Sequence, residues 1–176
     1  EQMREINIKP NRIILEPIGR NTAPAITLAA KVASEIENDP LLLVLSSDHQ
    51  IKNNNKFIEA IHEGINLARK DYLVTFGVVP NTPATGYGYI KAEKPFNFSD
   101  VCGNKISEFT EKPSYQKACE FVKDKRYTWN SGIFLFKAST VLKELRKFCP
   151  KILDFCNNSL INSEFDLDFQ RLKKEN

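Results

Sequence analysis

An α/β protein with a Rossmann-like sheet is what this 176-residue sequence predicts, and two patterns carry the prediction. Short apolar runs alternate with amphipathic helical stripes from Arg12 to Phe76, the rhythm of βαβ units. The run Leu41-Leu-Leu-Val-Leu45 is apolar at every position, as a strand covered on both faces must be. Composition agrees: 41% hydrophobic residues, 27% charged and a mean hydropathy of −0.37 describe a globular chain and exclude disorder. No run approaches the ~20 apolar residues of a membrane span. A net charge of +3, spread over scattered basic residues, argues against duplex nucleic acid as a partner.

Arg12-Ile-Ile-Leu15 reads as the first strand, ended by Pro17 and Gly19. Asn21 or Thr22 then caps a helix with Pro24 in its first turn. That helix is expected to bury Ile26, Ala29, Ala30, Ala33 and Ile36, and Asn38-Asp-Pro40 ends it before the strand 41–45. A parallel crossover is the natural connection. Phe57, Ile61, Ile65 and Ala68 mark the next helix and 72–76 the third strand. The rhythm then changes. Residues 86–92 and 105–111 are strand-like, suggesting antiparallel additions, and a helix follows from Ser114 to about Lys125. Residues 132–136 form an apolar strand, and Val141, Leu142, Leu145 and Phe148 a helix ended by Pro150. Residues 162–176 are polar and weakly periodic, with Arg171-Leu-Lys-Lys174 read as a solvated tail. The chain opens without an initiator methionine and closes on Lys173-Lys-Glu-Asn176, so 1–176 is expected to be part of a longer domain.

Ligands of open α/β sheets gather beyond the carboxyl ends of the strands, and the turn after 41–45 carries Ser46-Ser-Asp48. A carboxylate there can hold Mg²⁺ against phosphate oxygens, because that ion usually takes one or two carboxylates plus substrate phosphates; a lone Asp can equally cap the turn. Gly86 and Gly88 open a strand in Thr85-Gly-Tyr-Gly-Tyr89, which suits close approach of a ligand or a simple bulge. Glu111-Lys-Pro113 sets an acceptor for hydroxyls beside a donor for phosphate. Neighbouring strand residues face opposite ways, so both side chains enter one site only where the chain bends, and Pro113 is consistent with such a break. Trp129-Asn-Ser-Gly132 places an amide and a permissive glycine before an apolar strand, or makes a turn. The four cysteines form no C-x-x-C pair and only His49 and His62 could join them, so reduced thiols are expected rather than a zinc cage.

Taken in order, Glu16-Pro-Ile-Gly-Arg-Asn-Thr-Ala-Pro-Ala25, Ser47-Asp-His49, Thr85-Gly-Tyr-Gly-Tyr-Ile90, Phe109-Thr-Glu-Lys-Pro113 and Trp129-Asn-Ser-Gly-Ile-Phe134 resemble the sugar-phosphate nucleotidylyltransferases. The segment Gly19-Arg-Asn-Thr-Ala-Pro-Ala25 points to the branch that transfers guanylyl groups to mannose 1-phosphate. The resemblance implies a GT-A-like nucleotidyltransferase fold, a mixed and mostly parallel sheet flanked by helices. It also implies transfer of GMP from GTP to mannose 1-phosphate, giving GDP-mannose and pyrophosphate, with Mg²⁺ or another divalent cation as cofactor. By the family pattern Asp48 ligates the metal and Lys112 holds the sugar phosphate. Glu111, Asn130, Tyr87, Gly132 and the backbone at Gly86 and Gly88 contact the hexose. Glu16 accepts guanine's N1–H and N2–H₂ donors, and Arg20, Asn21, Thr22 and Ala23 complete the nucleotide segment.

Nothing before Ile13 matches the family's glycine-rich, arginine-bearing loop, so residues 1–176 alone are expected to be inactive. Asp166 and Asp168 do not sit in the pattern of the second metal-binding aspartate and are left unassigned. Many proteins of this branch continue into a cupin-like domain with mannose-6-phosphate isomerase activity, so the parent chain can be bifunctional. A non-catalytic paralogue that binds sugar nucleotides and regulates an active partner is the alternative from another class. The setting implied is cytoplasmic, with a homo-oligomer compatible and neither nucleic acid nor membrane as partner.

Overall fold

The computed structural model describes residues 2–173. In chain order the elements are α1 (Gln2–Glu5), β1 (Ile13–Leu15), α2 (Thr22–Ile36), β2 (Leu41–Val44), α3 (Asn54–Ala68), β3 (Val74–Val78), β4 (Tyr89–Ala92), β5 (Ile106–Thr110), α4 (Tyr115–Lys123), β6 (Tyr127–Lys137), α5 (Ala138–Phe148), α6 (Pro150–Ile161), β7 (Glu164–Asp166) and β8 (Phe169–Arg171). They fall into two compact units, one made of Glu1–Pro40 with Ala138–Asn176 and the other of Leu41–Lys137. No helix among the described residues is long and apolar enough to cross a membrane.

The Leu41–Lys137 unit is built on β6. Its eleven residues are long enough to serve β3 along one edge and β2 and β4 in succession along the other, and β4 passes the sheet on to β5. All these pairings are antiparallel, so β2, β3 and β4 run one way and β5 and β6 the other. The mixed α/β class holds. The expectation of mostly parallel pairing does not: β2 and β3 share a direction but are separated by β6, which hydrogen-bonds to both. The first strand is not joined to β2 by a crossover either, because β1 pairs parallel with β8 in a separate sheet, Ile13 opposite Phe169.

Helix α3 starts where Asn53 accepts the Lys56 N–H at 3.0 Å. Its Gly64 lets the helix press on the sheet: a Cβ there would stand 3.0 Å from Leu135 Cδ2 and 3.1 Å from Phe76 Cζ. Ser114 caps α4, which ends at Lys123, two residues before the expected limit. Beneath α4, Tyr89, Ala118, Phe121 and Tyr127 form a buried cluster, with Phe121 and Tyr127 stacked 4.1 Å apart. Tyr89 is fully buried and spends its hydroxyl on the Ala84 carbonyl at 2.9 Å, which ties down the loop before β4.

In the other unit α2 packs against α5 and α6, and Leu28, Cys156 and Leu172 form the buried cluster. The buried face of α2 is Thr27, Leu28, Ala30 and Val32; Ala29 and Ile36 of the expected stripe are exposed. A run rich in small alanines marks no face strongly, and Thr27 can be buried because its hydroxyl bonds back to the Ala23 carbonyl at 2.7 Å. Pro150 does end α5, and it also opens α6 from the N1 position. The run from Arg171 is not simply a solvated tail: Arg171 closes β8, which forms a hairpin with β7, and Leu172 is buried. Lys174 lies outside the described residues.

Candidate functional site

The strand register of the Leu41–Lys137 unit gathers three of the motif positions into one row. Tyr89 pairs with Thr110 on one side and Trp129 on the other, so one step back along the chain Gly88 lies level with Glu111 and Asn130. The Asn130 N–H donates to the Gly88 carbonyl at 2.8 Å, and a Cβ at Gly88 would stand 2.8 Å from both Glu111 Oε2 and Phe109 Cζ. Beyond β6, Asn130 pairs with Gly77. The row Glu111, Gly88, Asn130, Gly77 thus sets two polar side chains beside two glycines, where a Cβ would meet Glu111 and Phe109 at Gly88 and Thr128 at Gly77. A carboxylate that accepts and an amide that donates, with glycine between them, suit a ligand rich in hydroxyl groups.

At Glu111 the strand β5 has already ended, and Lys112 turns the chain with φ 44°. This is the bend that the Glu-Lys-Pro motif required. A left-handed lysine directly before proline is sterically disfavoured twice over, and held strain of this kind clusters at ligand sites. Both Glu111 and Lys112 are exposed, and neither has a salt-bridge partner among the described residues.

Asn130 is half-buried and its carboxamide is oriented. Its Oδ1 accepts the Gly132 N–H at 3.2 Å and the Thr75 hydroxyl at 3.2 Å; because a backbone N–H can only donate, the oxygen end is fixed and Nδ2 points elsewhere. Residues 129–132 form no turn but lie within β6, where Gly132, at φ +72°, supplies a left-handed step at the irregular pairing with β3. Tyr87 goes elsewhere: its ring packs 5.2 Å from Trp129, which rests on the aromatic cluster under α4. Gly86 is exposed with nothing within 4 Å of a Cβ position. The carbonyl of Gly88 is already engaged by Asn130, which leaves its N–H as the backbone donor there.

Asp48 lies in the exposed turn after β2, with no hydrogen bond or salt bridge to another described residue. One free carboxylate beside two serine hydroxyls fits a divalent cation held largely by ligand phosphates, and it is no cage. Among the described residues no group of three or more His, Cys, Asp or Glu could hold a metal by itself.

The segment expected to bind the nucleotide belongs to the other unit. Glu16 and Arg20 to Ala23 are all exposed. Asn21 stands at the N-cap of α2 with φ 67°, and its side chain makes no cap hydrogen bond, so the first-turn amides of Thr22 and Ala23 stay open to a ligand. Glu16 is close enough to α6 to act on Cys156, whose thiol is pushed above its ordinary range first by burial and then by the Glu16 charge. Asp166 is engaged by Arg171 across the β7–β8 hairpin at 2.9 Å.

The profile of the nucleotidyl transferase family matches residues 1–174. The chain belongs to that family. The chain is 45% identical over 177 residues to a mannose-1-phosphate guanylyltransferase of Salmonella muenchen, an alignment that covers 99% of this chain and 37% of that protein. The mannose-1-phosphate guanylyltransferase of Escherichia coli K12 is 44% identical, over 99% of this chain and 37% of its own length. Among solved structures, mannose-6-phosphate isomerase from Helicobacter pylori matches with a TM-score of 0.78 and 37% identity, over 92% of this chain and 60% of that one. The chain therefore spans 37% of the length of those two curated relatives.

Sequence patterning did not select Thr75 or Gly77. Thr75 was visible as a small polar residue in an apolar strand, but its meaning comes only from the register that sets it against Asn130.

Proposed function

We propose that the protein containing this chain transfers GMP from GTP to mannose 1-phosphate, forming GDP-mannose and pyrophosphate. The observation that carries the reading is the row of Glu111, Gly88 and Asn130 ending in the left-handed Lys112, since it offers hydroxyl recognition and a phosphate-binding cation in consecutive positions. The names of the relatives point the same way. In the reaction an oxygen of the sugar phosphate bonds to the α-phosphorus of GTP as the bond from that phosphorus to the bridging oxygen breaks. Pyrophosphate leaves, and no covalent protein intermediate is needed.

Glu111 accepts from hexose hydroxyls, Asn130 donates through Nδ2, and Lys112 faces the sugar phosphate. Glu16 accepts from guanine, and Arg20 with the open amides of Thr22 and Ala23 serves the nucleotide. A divalent cation, Mg²⁺ in the first instance, would be held by Asp48 and supply charge neutralisation at the nucleotide phosphates. Because the surrounding groups position and compensate charge, catalysis here is chiefly orientation and electrostatics. Unpaired thiols suit a reducing, cytoplasmic setting.

The test is to incubate the protein with GTP and mannose 1-phosphate and follow pyrophosphate and GDP-mannose together. Formation of both products, stopped by chelation of divalent metal, is expected. Absence of pyrophosphate with every pairing of nucleoside triphosphate and hexose 1-phosphate would overturn the reading. A second activity has one observation behind it: the Helicobacter pylori relative is named a mannose-6-phosphate isomerase. Conversion of mannose 6-phosphate is therefore assayed separately in the same preparation.

A further inference from the structure

The bulge where β3 meets β6 holds more hydrogen bonding than the ladder requires. The register slips between Thr75 and Gly77, and the Phe76 carbonyl is taken by the Ser131 hydroxyl at 2.6 Å, which in turn accepts the Ile133 N–H at 3.1 Å. Ser131 thus bridges the irregularity from β6. The half-buried Thr75 hydroxyl shares its one proton between two acceptors, Asn130 Oδ1 at 3.2 Å and the Ile133 carbonyl of the bulge at 3.2 Å. A half-buried hydroxyl in an apolar strand is costly unless its bond matters. We propose that Thr75 is a positioning residue for the hexose site: together with the Gly132 N–H it clamps the oxygen end of the Asn130 carboxamide, leaving both Nδ2 hydrogens for an acceptor oxygen of a bound hexose 1-phosphate. Without the hydroxyl, Oδ1 keeps one donor and the amide regains rotation about its terminal torsion, which is broad and nearly two-fold.

This inference rests on the hexose 1-phosphate reading given above, and the experiment keeps the two apart. Binding of mannose 1-phosphate, and KM for mannose 1-phosphate and for GTP, are measured for the wild type, Thr75→Val and Thr75→Ser. The valine variant is expected to weaken mannose 1-phosphate about three- to tenfold, as loss of one net hydrogen bond does, with KM for GTP unchanged. Serine, which keeps the hydroxyl, restores the wild-type value. Mannose 1-phosphate affinity in the valine variant within about twofold of wild type, short of that range, overturns the proposal. So does equal weakening of both substrates, or failure of serine to restore. A wild-type protein that binds no mannose 1-phosphate sinks the hexose reading instead. Nitrogen relaxation of the Asn130 side-chain amide, assigned by its loss in Asn130→Ala, then decides the clamp by itself. It is expected to be rigid in wild type and Thr75→Ser and mobile in Thr75→Val, and equal rigidity in all three overturns it.

Discussion

A lysine at φ 44° in front of a proline is held against its own preference. The left-handed region costs a non-glycine residue about 1–2 kcal/mol, of which glycine would recover part while adding about 0.5–1 kcal/mol of backbone entropy loss. Two substitutions at Lys112 should therefore part company. We expect Lys112→Gly to keep or slightly raise stability, and both it and Lys112→Ala to cut kcat/KM by about ten- to a hundredfold, as loss of a charge-assisted contact does. Thermal melts and steady-state rates on the same samples decide it; turnover close to wild type in either variant would remove Lys112 from the phosphate site. Glu16 makes a second residue-scale prediction. With one oxygen and no charge, Gln satisfies guanine's paired donors poorly, so Glu16→Gln is expected to narrow the preference for GTP over ATP. An unaltered GTP/ATP ratio of kcat/KM would assign base reading to the backbone around Asn21 to Ala23.

Between α4 and β6, one carboxylate organises a turn. Asp124 accepts the Arg126 N–H at 3.0 Å and its guanidinium at 2.7 Å, and these hydrogen bonds hold the carboxyl below its ordinary range. A carboxyl depressed on folding stabilises above its unfolded pKa and loses that contribution as pH falls through the lower folded value. Asp124→Asn is thus expected to cost less than about 1 kcal/mol at neutral pH, since the pair is partly exposed. The gap between variant and wild type should shrink below about pH 4; denaturant melts at pH 7 and pH 3 in which it stays constant would contradict this. Elements were legible in the sequence where side-chain period speaks. The run 41–45, apolar throughout, and the stripe from Phe57 to Ala68, with its helical period, became β2 and α3. Only the apolar half of β6 was readable, because Tyr127 to Ser131 mixes aromatic and polar residues around a bulge. The three-residue strands β7 and β8 are too short to show a period and owe their existence to β1. Likewise Gly88, Glu111 and Asn130 stood out as motif residues, but their meeting in one row is a fact of register, which no local pattern contains.

The two units differ in how the chain supplies them: Leu41–Lys137 is continuous, whereas the other unit is assembled from both sides of it. Truncating the protein after Phe148 removes α6 and β8, and with them Cys156 and Leu172 from the cluster around Leu28. Hydrogen exchange should then lose protection in α2 while β3, β4 and β6 keep theirs; equal loss in both units would argue for a single cooperative block. The same layout governs the nascent chain. As the ribosome delivers residues in order, β6 can close its sheet as soon as Lys137 has emerged, but β1 must wait for Phe169 to Arg171, its parallel partners. At about 5–20 residues per second that is a delay of roughly 8–30 s, during which the apolar strand Ile13-Ile-Leu15 has no partner in β8. A chaperone that shields short apolar segments would find its substrate in that interval, at a strand made well before the one that completes its sheet.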